Sequence, residues 1–156
     1  MNVTGKITVD MKPVNQILKE KGLTAGGDVQ RFHTQNVLRR IQKYMPYRTG
    51  ATIKTMIAQT DINKPEIVLD VPFGRYLYHG KVMVNAETGK GPPAIPGVGP
   101  RWPRGTVLKP TDRDLEYTKT KNPNAGPYWD RALVAAEMPA MQADLQAYVN
   151  RKAGKV

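Results

Sequence analysis

The sequence predicts a single α+β domain, with helices near the two ends of the chain packed on a short antiparallel sheet. One helical repeat of apolar residues covers about 28–45, and a second covers about 127–151. Between them, β-branched runs alternate with turn residues, which is typical of short strands. The length of 156 residues suits one modest core, so we expect 1–156 to be one domain.

The chain is predicted to open with two short elements. Ile7–Met11 alternates apolar and polar residues and predicts a strand, which Pro13 follows closely. Val14–Lys21 carries its apolar residues on one helical face and ends at Gly22, so it predicts a helix of two turns at most.

The first long helix is predicted from Val29 to Met45, with Asp28 as its N-cap. Its apolar residues recur every three or four positions, which predicts a surface helix with one buried face. Pro46 ends the helix at Met45, because the residue before a proline is disfavoured in the α region. Beyond it, Gly50 is predicted to have a positive φ or to allow a close approach of another backbone.

The middle of the chain predicts a small meander. Ala51–Gln59 fits either a helical turn or the start of a strand, and Glu66–Val71 reads as a strand between two prolines. Tyr76–Gly80 predicts a compact aromatic turn that leads into a strand at Lys81–Val84. Leu115–Tyr117 is expected to return the chain to the sheet.

Residues 85–110, which we call the arm, differ from the rest in composition. Prolines and glycines alternate there at a density that regular structure does not tolerate, so an extended segment without its own core is predicted. Long insertions of this kind are usually functional or disordered. Trp102, flanked by Arg101 and Arg104, is a large amphipathic side chain suited to anchor the arm on a neighbouring subunit or ring. The alternative is a mobile surface loop with Trp102 folded back onto its own domain.

The closing helix is predicted to begin with Pro127 at its first position and to kink at Ala135–Pro139. We expect one stripe of the first long helix to pack on the sheet and on one stripe of the closing helix. The first stripe is Leu38, Ile41 and Met45, and the second is Leu133, Met141 and Leu145.

Few residues suit catalysis. The chain has no cysteine and no serine, and its two histidines, His33 and His79, have no metal-binding spacing. Asp112, Asp114 and Glu116 would share one face of a strand and could hold a cation, but nearby basic residues favour a neutralised strand edge. We therefore expect that the protein is not an enzyme and that it has no catalytic residue, no metal and no cofactor. No apolar run approaches the roughly 20 residues that span a bilayer, so no membrane partner is expected.

The charge is more informative. A formal charge of +11 predicts attraction to polyanions. Arg39, Arg40, Lys43 and Arg48 cluster around the end of the first long helix and are candidates to contact DNA phosphates or acidic proteins. The sequence leaves these two partners open, along with a plain solvated basic surface.

Three segments together resemble a known family. They are Val37–Gly50, which ends in the string Met45-Pro46-Tyr47-Arg48-Thr49-Gly50, the stretch Tyr76–Lys81, and Asn124–Ala132 with its Gly-Pro-Tyr-Trp-Asp-Arg-Ala string. In combination they resemble the minor capsid proteins of tailed phages, within the neck or tail-completion family. The matched region extends from about residue 28 to 152, and the arm is longer than the compact members have.

The resemblance implies a structural α+β subunit without catalysis. It implies a six- or twelve-fold ring in the virion neck, made in the bacterial host cytoplasm, between the connector or stopper proteins and the tail-terminator or tail-tube proteins. Genomic DNA would pass through it. Pro46, Thr49 and Gly50 would form a structural turn, and the expected interface residues are Trp102, Arg101, Arg104, Tyr76, Tyr78 and His79. The alternatives are a basic nucleic-acid-binding module and a tail-terminator ring.

Overall fold

The computed structural model describes residues 12–71 and 73–154. In chain order the elements are α1 (Val14–Glu20), α2 (Asp28–Ile41) with a 3-10 turn (Gln42–Tyr44), α3 (Ala51–Gln59), α4 (Gly74–His79), β1 (Lys81–Asn85), β2 (Ala94–Ile95), β3 (Gly99–Pro100), β4 (Leu108–Asp114) and α5 (Trp129–Ala153). Helices combined with small antiparallel sheets confirm the α+β class. The strand predicted at Ile7–Met11 lies outside the described residues.

Helix α2 confirms the first long helix, with two local differences. Gly27 is the N-cap, and the predicted cap Asp28 is instead the first helical residue. Its carboxylate accepts hydrogen bonds from Lys152 Nζ at 2.6 Å and Tyr148 Oη at 3.1 Å, so it ties α2 to α5 rather than capping its own helix. At the other end α2 stops at Ile41, four residues before the predicted end at Met45, and the 3-10 turn Gln42–Tyr44 replaces its last turn. Met45 is extended, as expected of a residue before proline.

The core is formed mainly by helices. Its buried side chains come from α2, the 3-10 turn, α3 and α5, and are Ile41, Tyr44, Met45, Ile53, Met56, Trp129, Leu133 and Met141. Leu38 packs at the edge of this cluster. The predicted pairing of the two helical stripes is therefore confirmed for Ile41, Met45, Leu133 and Met141. The expected packing on the sheet is wrong, because this cluster contains no strand residue among those described.

Glu66–Val71 was expected to be a strand and is not one. The segment runs beside the end of α3, and side chains rather than a partner strand bind its backbone. Val68 N donates to Thr60 Oγ1 at 3.1 Å, and Asp70 N donates to Gln59 Oε1 at 2.7 Å. Ile67 and Leu69 pack against the core from this irregular segment. Since side chains satisfy these backbone groups, the segment does not need a sheet.

The aromatic stretch 76–80 is the end of helix α4 rather than a turn. Gly80, with φ +70°, ends the helix and starts β1, which pairs antiparallel with β4. Strand β4 covers Leu108–Asp114, so the return to the sheet comes earlier than the predicted Leu115–Tyr117. The register joins Asn85 to Leu108, so the base of the arm is the end of this ribbon.

The arm is more regular than predicted. Ala94 pairs with Pro100 and Ile95 with Gly99, which forms a second, very short antiparallel ribbon within residues 85–110. Gly97 has φ +75° at the turn between its strands, a conformation that glycine adopts without a Cβ clash. Most of the arm is exposed, as its composition suggests.

Helix α5 begins at Trp129, so the predicted start at Pro127 is two residues too early. The N-cap is Tyr128, whose φ of +50° is the one positive φ of a non-glycine residue in the described part of the chain. The helix continues through Pro139, and the kink expected at Ala135–Pro139 stays a prediction. The described helices include none with the length and apolar character needed to cross a membrane.

Candidate functional site

The three segments that carry the resemblance meet at one place, which we call the motif junction. Gly126 N donates to the carbonyl of Tyr44 at 3.3 Å, and Tyr128 N donates to the carbonyl of Tyr78 at 2.9 Å. The segment before α5 therefore lies between the end of α2 and helix α4. Segments 82 and 50 residues apart in the chain are held together here by these two backbone hydrogen bonds.

Asn122 closes the end of α2 at this junction. Its Nδ2 donates to the carbonyls of Gln42 at 2.7 Å and Met45 at 2.9 Å. Carbonyls at a helix end have no partner within the helix, so Asn122 replaces water there. The sequence analysis missed this role, and no local pattern around Asn122 indicates it.

Gly50 has the conformation that the sequence predicted. Its φ is +79°, and it is the N-cap of α3. The backbone angle favours glycine, and a Cβ built on it would lie 2.9 Å from Tyr47 Oη, so the Tyr47 ring would have to shift. Pro46 and Thr49 complete the turn, where Ala51 N approaches Thr49 Oγ1 at 3.4 Å.

Gly80 is the second glycine that the junction requires. A Cβ at its position would lie 2.9 Å from Pro127 Cβ and 3.0 Å from Tyr117 Oη. The same Tyr117 hydroxyl donates to the carbonyl of Leu77 at 2.5 Å. This close approach fixes α4 against the chain that enters α5.

Four aromatic rings, those of Tyr78, His79, Tyr128 and Trp129, form a cluster beside the junction, which we call the aromatic cluster. Tyr78 is at its centre, with edge-to-face contacts at ring-centroid distances of 5.3 Å to His79, 5.2 Å to Tyr128 and 5.1 Å to Trp129. Trp129 is buried, whereas His79 is exposed. The cluster therefore links the core to the surface.

Polar contacts fix the outer side of the aromatic cluster. Tyr78 Oη donates to Asp130 Oδ1 at 2.8 Å, and this bond to a carboxylate raises the pKa of Tyr78. The Arg131 guanidinium lies 4.8 Å from the centre of the Tyr128 ring. The positive φ of Tyr128 is a strained conformation for a bulky residue, and such strain is often found at functional surfaces.

The remaining predicted interface residues line a neighbouring cleft of about 1100 Å³, which we call the arm cleft. Tyr76 and the exposed Phe73 form one side, and the arm contributes Arg101, Trp102 and Arg104. Trp102 is half-buried there, whereas the two arginines are exposed. Tyr76, Tyr78 and His79 all belong to α4, so one short helix connects the arm cleft with the aromatic cluster.

The four predicted basic contact residues divide into two groups. Arg40 bridges Glu137 and Asp144 of α5, and Lys43 pairs with the same Glu137. These two cations therefore join the helices. Arg39 and Arg48 are exposed, and neither forms a salt bridge among the residues that the structure describes.

Glu137 is the centre of this ion-pair network, and the sequence analysis missed it. It accepts hydrogen bonds from Lys43, Arg40 and, at 2.8 Å, Tyr44 Oη. The bond from Lys43, with those from Arg40 and Tyr44, lowers the pKa of Glu137 to about 2 despite its burial. Glu137 and Asp144 are seven residues apart and so share a helix face, which is the signal that could have identified them.

The candidate cation site is not formed. Asp114 pairs with Lys81 across the ribbon, and the described residues contain no group of three or more His, Cys, Asp or Glu that could hold a metal ion. His33 is half-buried on α2 and His79 lies in the aromatic cluster, so the two histidines sit on different elements.

Comparisons of the chain with protein-family models, with curated proteins and with solved structures gave no match.

Proposed function

We propose that this chain is a structural subunit of a tailed bacteriophage that forms a ring in the virion neck. In this role it joins the DNA-filled head to the tail and lets the genome pass. The observation that carries the proposal is the motif junction, where the three segments that resemble the neck family lie against one another.

This convergence bears on whether the resemblance is accidental. Three short strings that match a family by chance have no reason to meet in space. Segments that are characteristic of a fold are expected to lie close together, because the residues that define a fold are those that hold its elements together. The matched positions act here through backbone bonds, as at Gly126 and Tyr128, and through close packing, as at Gly50 and Gly80.

The arm and the aromatic cluster support assembly into a ring. A largely exposed arm of 26 residues can reach a neighbour and gain order by packing on it. Repeated head-to-tail contact of this kind closes into a ring when the rotation between neighbours allows it. The arm cleft and α4 are the surfaces we expect at that contact.

A deletion of the gene in the phage that encodes the chain tests the proposal. We expect cells infected with the deletion phage to accumulate DNA-filled heads and separate tails, which electron microscopy distinguishes from joined particles. Supplying the chain in trans should restore joined, infective particles. A matched control supplies the chain with Glu116→Gln, a change at an exposed side chain that forms no salt bridge among the described residues, and should restore joining equally.

Joined and infective particles from the deletion phage would contradict the proposal. Particles that join but carry tails of uncontrolled length would instead assign the chain to the tail-terminator ring.

A further inference from the structure

A groove separate from the aromatic cluster and the arm cleft runs between α2 and α5. It consists of two adjoining clefts, of about 490 Å³ and about 330 Å³, which share Phe32 and Gln35 in their linings. Arg39 and Arg151 line the larger cleft from α2 and α5, and Arg31 lines the smaller one. We call this surface the arginine groove.

The carboxylates in the arginine groove are already neutralised. Asp144 binds Arg40 and Asn36, and Asp28 binds Lys152 and Tyr148. In contrast, the three arginines of the groove form no salt bridge among the described residues. The groove therefore presents three arginines that form no salt bridge in the described part of the chain, and its two carboxylates are paired with other cations.

The groove also has a rigid frame. Arg39 Nη2 donates to Asn36 Oδ1 at 2.8 Å, and the buried Asn36 is itself bound to Asp144 Oδ2 at 3.0 Å. One edge of the Arg39 guanidinium is thus oriented while its other donors remain toward solvent. In the lining of the groove, the rings of Phe32 and Tyr148 stack with centroids 4.3 Å apart and planes at 12°.

We infer that the arginine groove binds the phosphate backbone of duplex DNA without reading its sequence. Arg31 and Arg39 are eight residues apart on α2, so they are spaced by about 12 Å along the helix axis. Guanidinium groups match phosphate oxygens with paired hydrogen bonds, and a row of them can contact several phosphates.

The groove suits DNA better than an acidic protein. A stable protein interface needs a broad apolar centre. The apolar part of this groove's lining is small, being Phe32, Ile62, Ala147 and the ring of Tyr148, and the exposed large apolar residues of the described chain, such as Phe73 and Met138, lie outside it. Phosphate contacts need no such centre. The inference rests on the proposed function in one respect: in the neck ring, the arginine groove would line the channel through which the DNA passes.

Fluorescence anisotropy with a labelled duplex of about 30 base pairs tests the inference, with the whole chain titrated across salt concentrations from about 50 to 200 mM. The test variant is Arg31→Gln with Arg39→Gln and Arg151→Gln. Each phosphate contact contributes about 0.9 to the slope of log affinity against log salt. In the triple variant, the slope of log affinity against log salt should therefore be smaller in magnitude by about 2.7. Its affinity for the duplex should fall about 8-fold for each arginine removed at about 0.1 M salt.

Two controls separate the groove from general charge and from misfolding. Arg113→Gln with Lys119→Gln and Lys121→Gln removes three exposed charges elsewhere and should change the slope by less than about 1. Replacing the three groove arginines with lysine keeps the charge and should keep most of the slope. Equal losses in the two glutamine variants, or an unchanged slope in the groove variant, would overturn the inference.

Head–tail joining by the same variants distinguishes this inference from the proposed function. A groove variant that binds DNA normally but fails to join heads to tails would show that the groove meets an acidic protein, which overturns the inference. If the deletion phage joins its heads and tails normally while DNA binding still depends on the groove, the proposed function fails and the inference stands.

Discussion

Glu137→Gln tests the ion-pair network that joins α2 to α5. The change keeps the size of the side chain, and the amide oxygen can still accept the hydrogen bond from Tyr44. It removes only the negative charge that pairs with Arg40 and Lys43. Arg40 keeps Asp144 as a partner, so the loss is confined to the contacts of Glu137.

The size of the effect follows from the pKa. The pKa of Glu137 is about 2 in the folded chain, against an ordinary value of 4.5, because Lys43, Arg40 and Tyr44 all donate to it. At 1.36 kcal/mol per pH unit, this difference is worth about 3 kcal/mol at full strength. Lys43 is 53% exposed and solvent screens its share, so we expect the substitution to cost about 2 kcal/mol at neutral pH.

The loss of stability caused by Glu137→Gln should become smaller as the pH falls. Since the pKa of Glu137 is lower in the folded than in the unfolded chain, its contribution is complete above about pH 5. It declines as the pH falls through 4.5 and disappears near pH 2, where the carboxyl is protonated in both states. The wild-type chain and the Glu137→Gln variant should therefore differ in stability at neutral pH and converge in acid.

Urea unfolding followed by far-UV circular dichroism, repeated from about pH 7 to about pH 2.5, measures this convergence. A loss of about 2 kcal/mol corresponds to a melting temperature lower by about 4–8 °C in a domain of this size. Glu116→Gln is the matched control, because Glu116 is exposed and forms no salt bridge in the described part of the chain. A stability difference that stays constant with pH, or an equal cost in the control, would refute the reasoning.

Three further outcomes are expected. Ile41→Asp places a charge in the core and should cost about 4 kcal/mol, so an unchanged melting temperature would contradict the core assignment. Gly50→Val should lower soluble yield because of its φ of +79°, whereas Arg48→Ala should not, and the reverse result would make Arg48 the functional residue. Proteases should cut the arm in the free chain and leave it intact in assembled particles, and equal cleavage in both would remove its role in assembly.

The long helices were predictable from the sequence because each has a local cause. Apolar residues repeat along α2 and α5, and Pro46 and Gly154 follow their ends. The positive φ of Gly50 was predictable for the same reason, since a Thr-Gly pair after a helix-ending proline indicates a tight turn. These elements depend mainly on residues close to them in the chain.

The errors concern segments whose structure is decided by distant partners. Glu66–Val71 has the composition of a strand, but the side chains of Gln59 and Thr60 take the place of a neighbouring strand. Helix α5 begins at Trp129 and not at the predicted Pro127, because Tyr128 N donates to the carbonyl of Tyr78, which lies 50 residues earlier in the chain. No local pattern contains that information.

The candidate site was predictable in part. Tyr76 and Trp102, chosen for their chemistry, do line one cleft. The basic residues at the end of α2 looked equivalent in sequence, yet of Arg39 and Arg40 only Arg40 forms salt bridges with the carboxylates of α5 in the described part of the chain. This difference depends on how two helices pack, which the spacing within one helix does not show.

The central claim is our proposal that this chain is a neck subunit of a tailed phage, and a cryo-electron microscopy reconstruction of the neck of the proposed phage tests it most directly. The account predicts a ring of six or twelve copies between the connector and the tail, into which α2, α5 and the β1–β4 ribbon fit as one unit. It also predicts that each arm lies on the adjacent copy or the next ring. A neck whose density is fully assigned to other proteins, with no ring that accommodates this fold, would contradict the account.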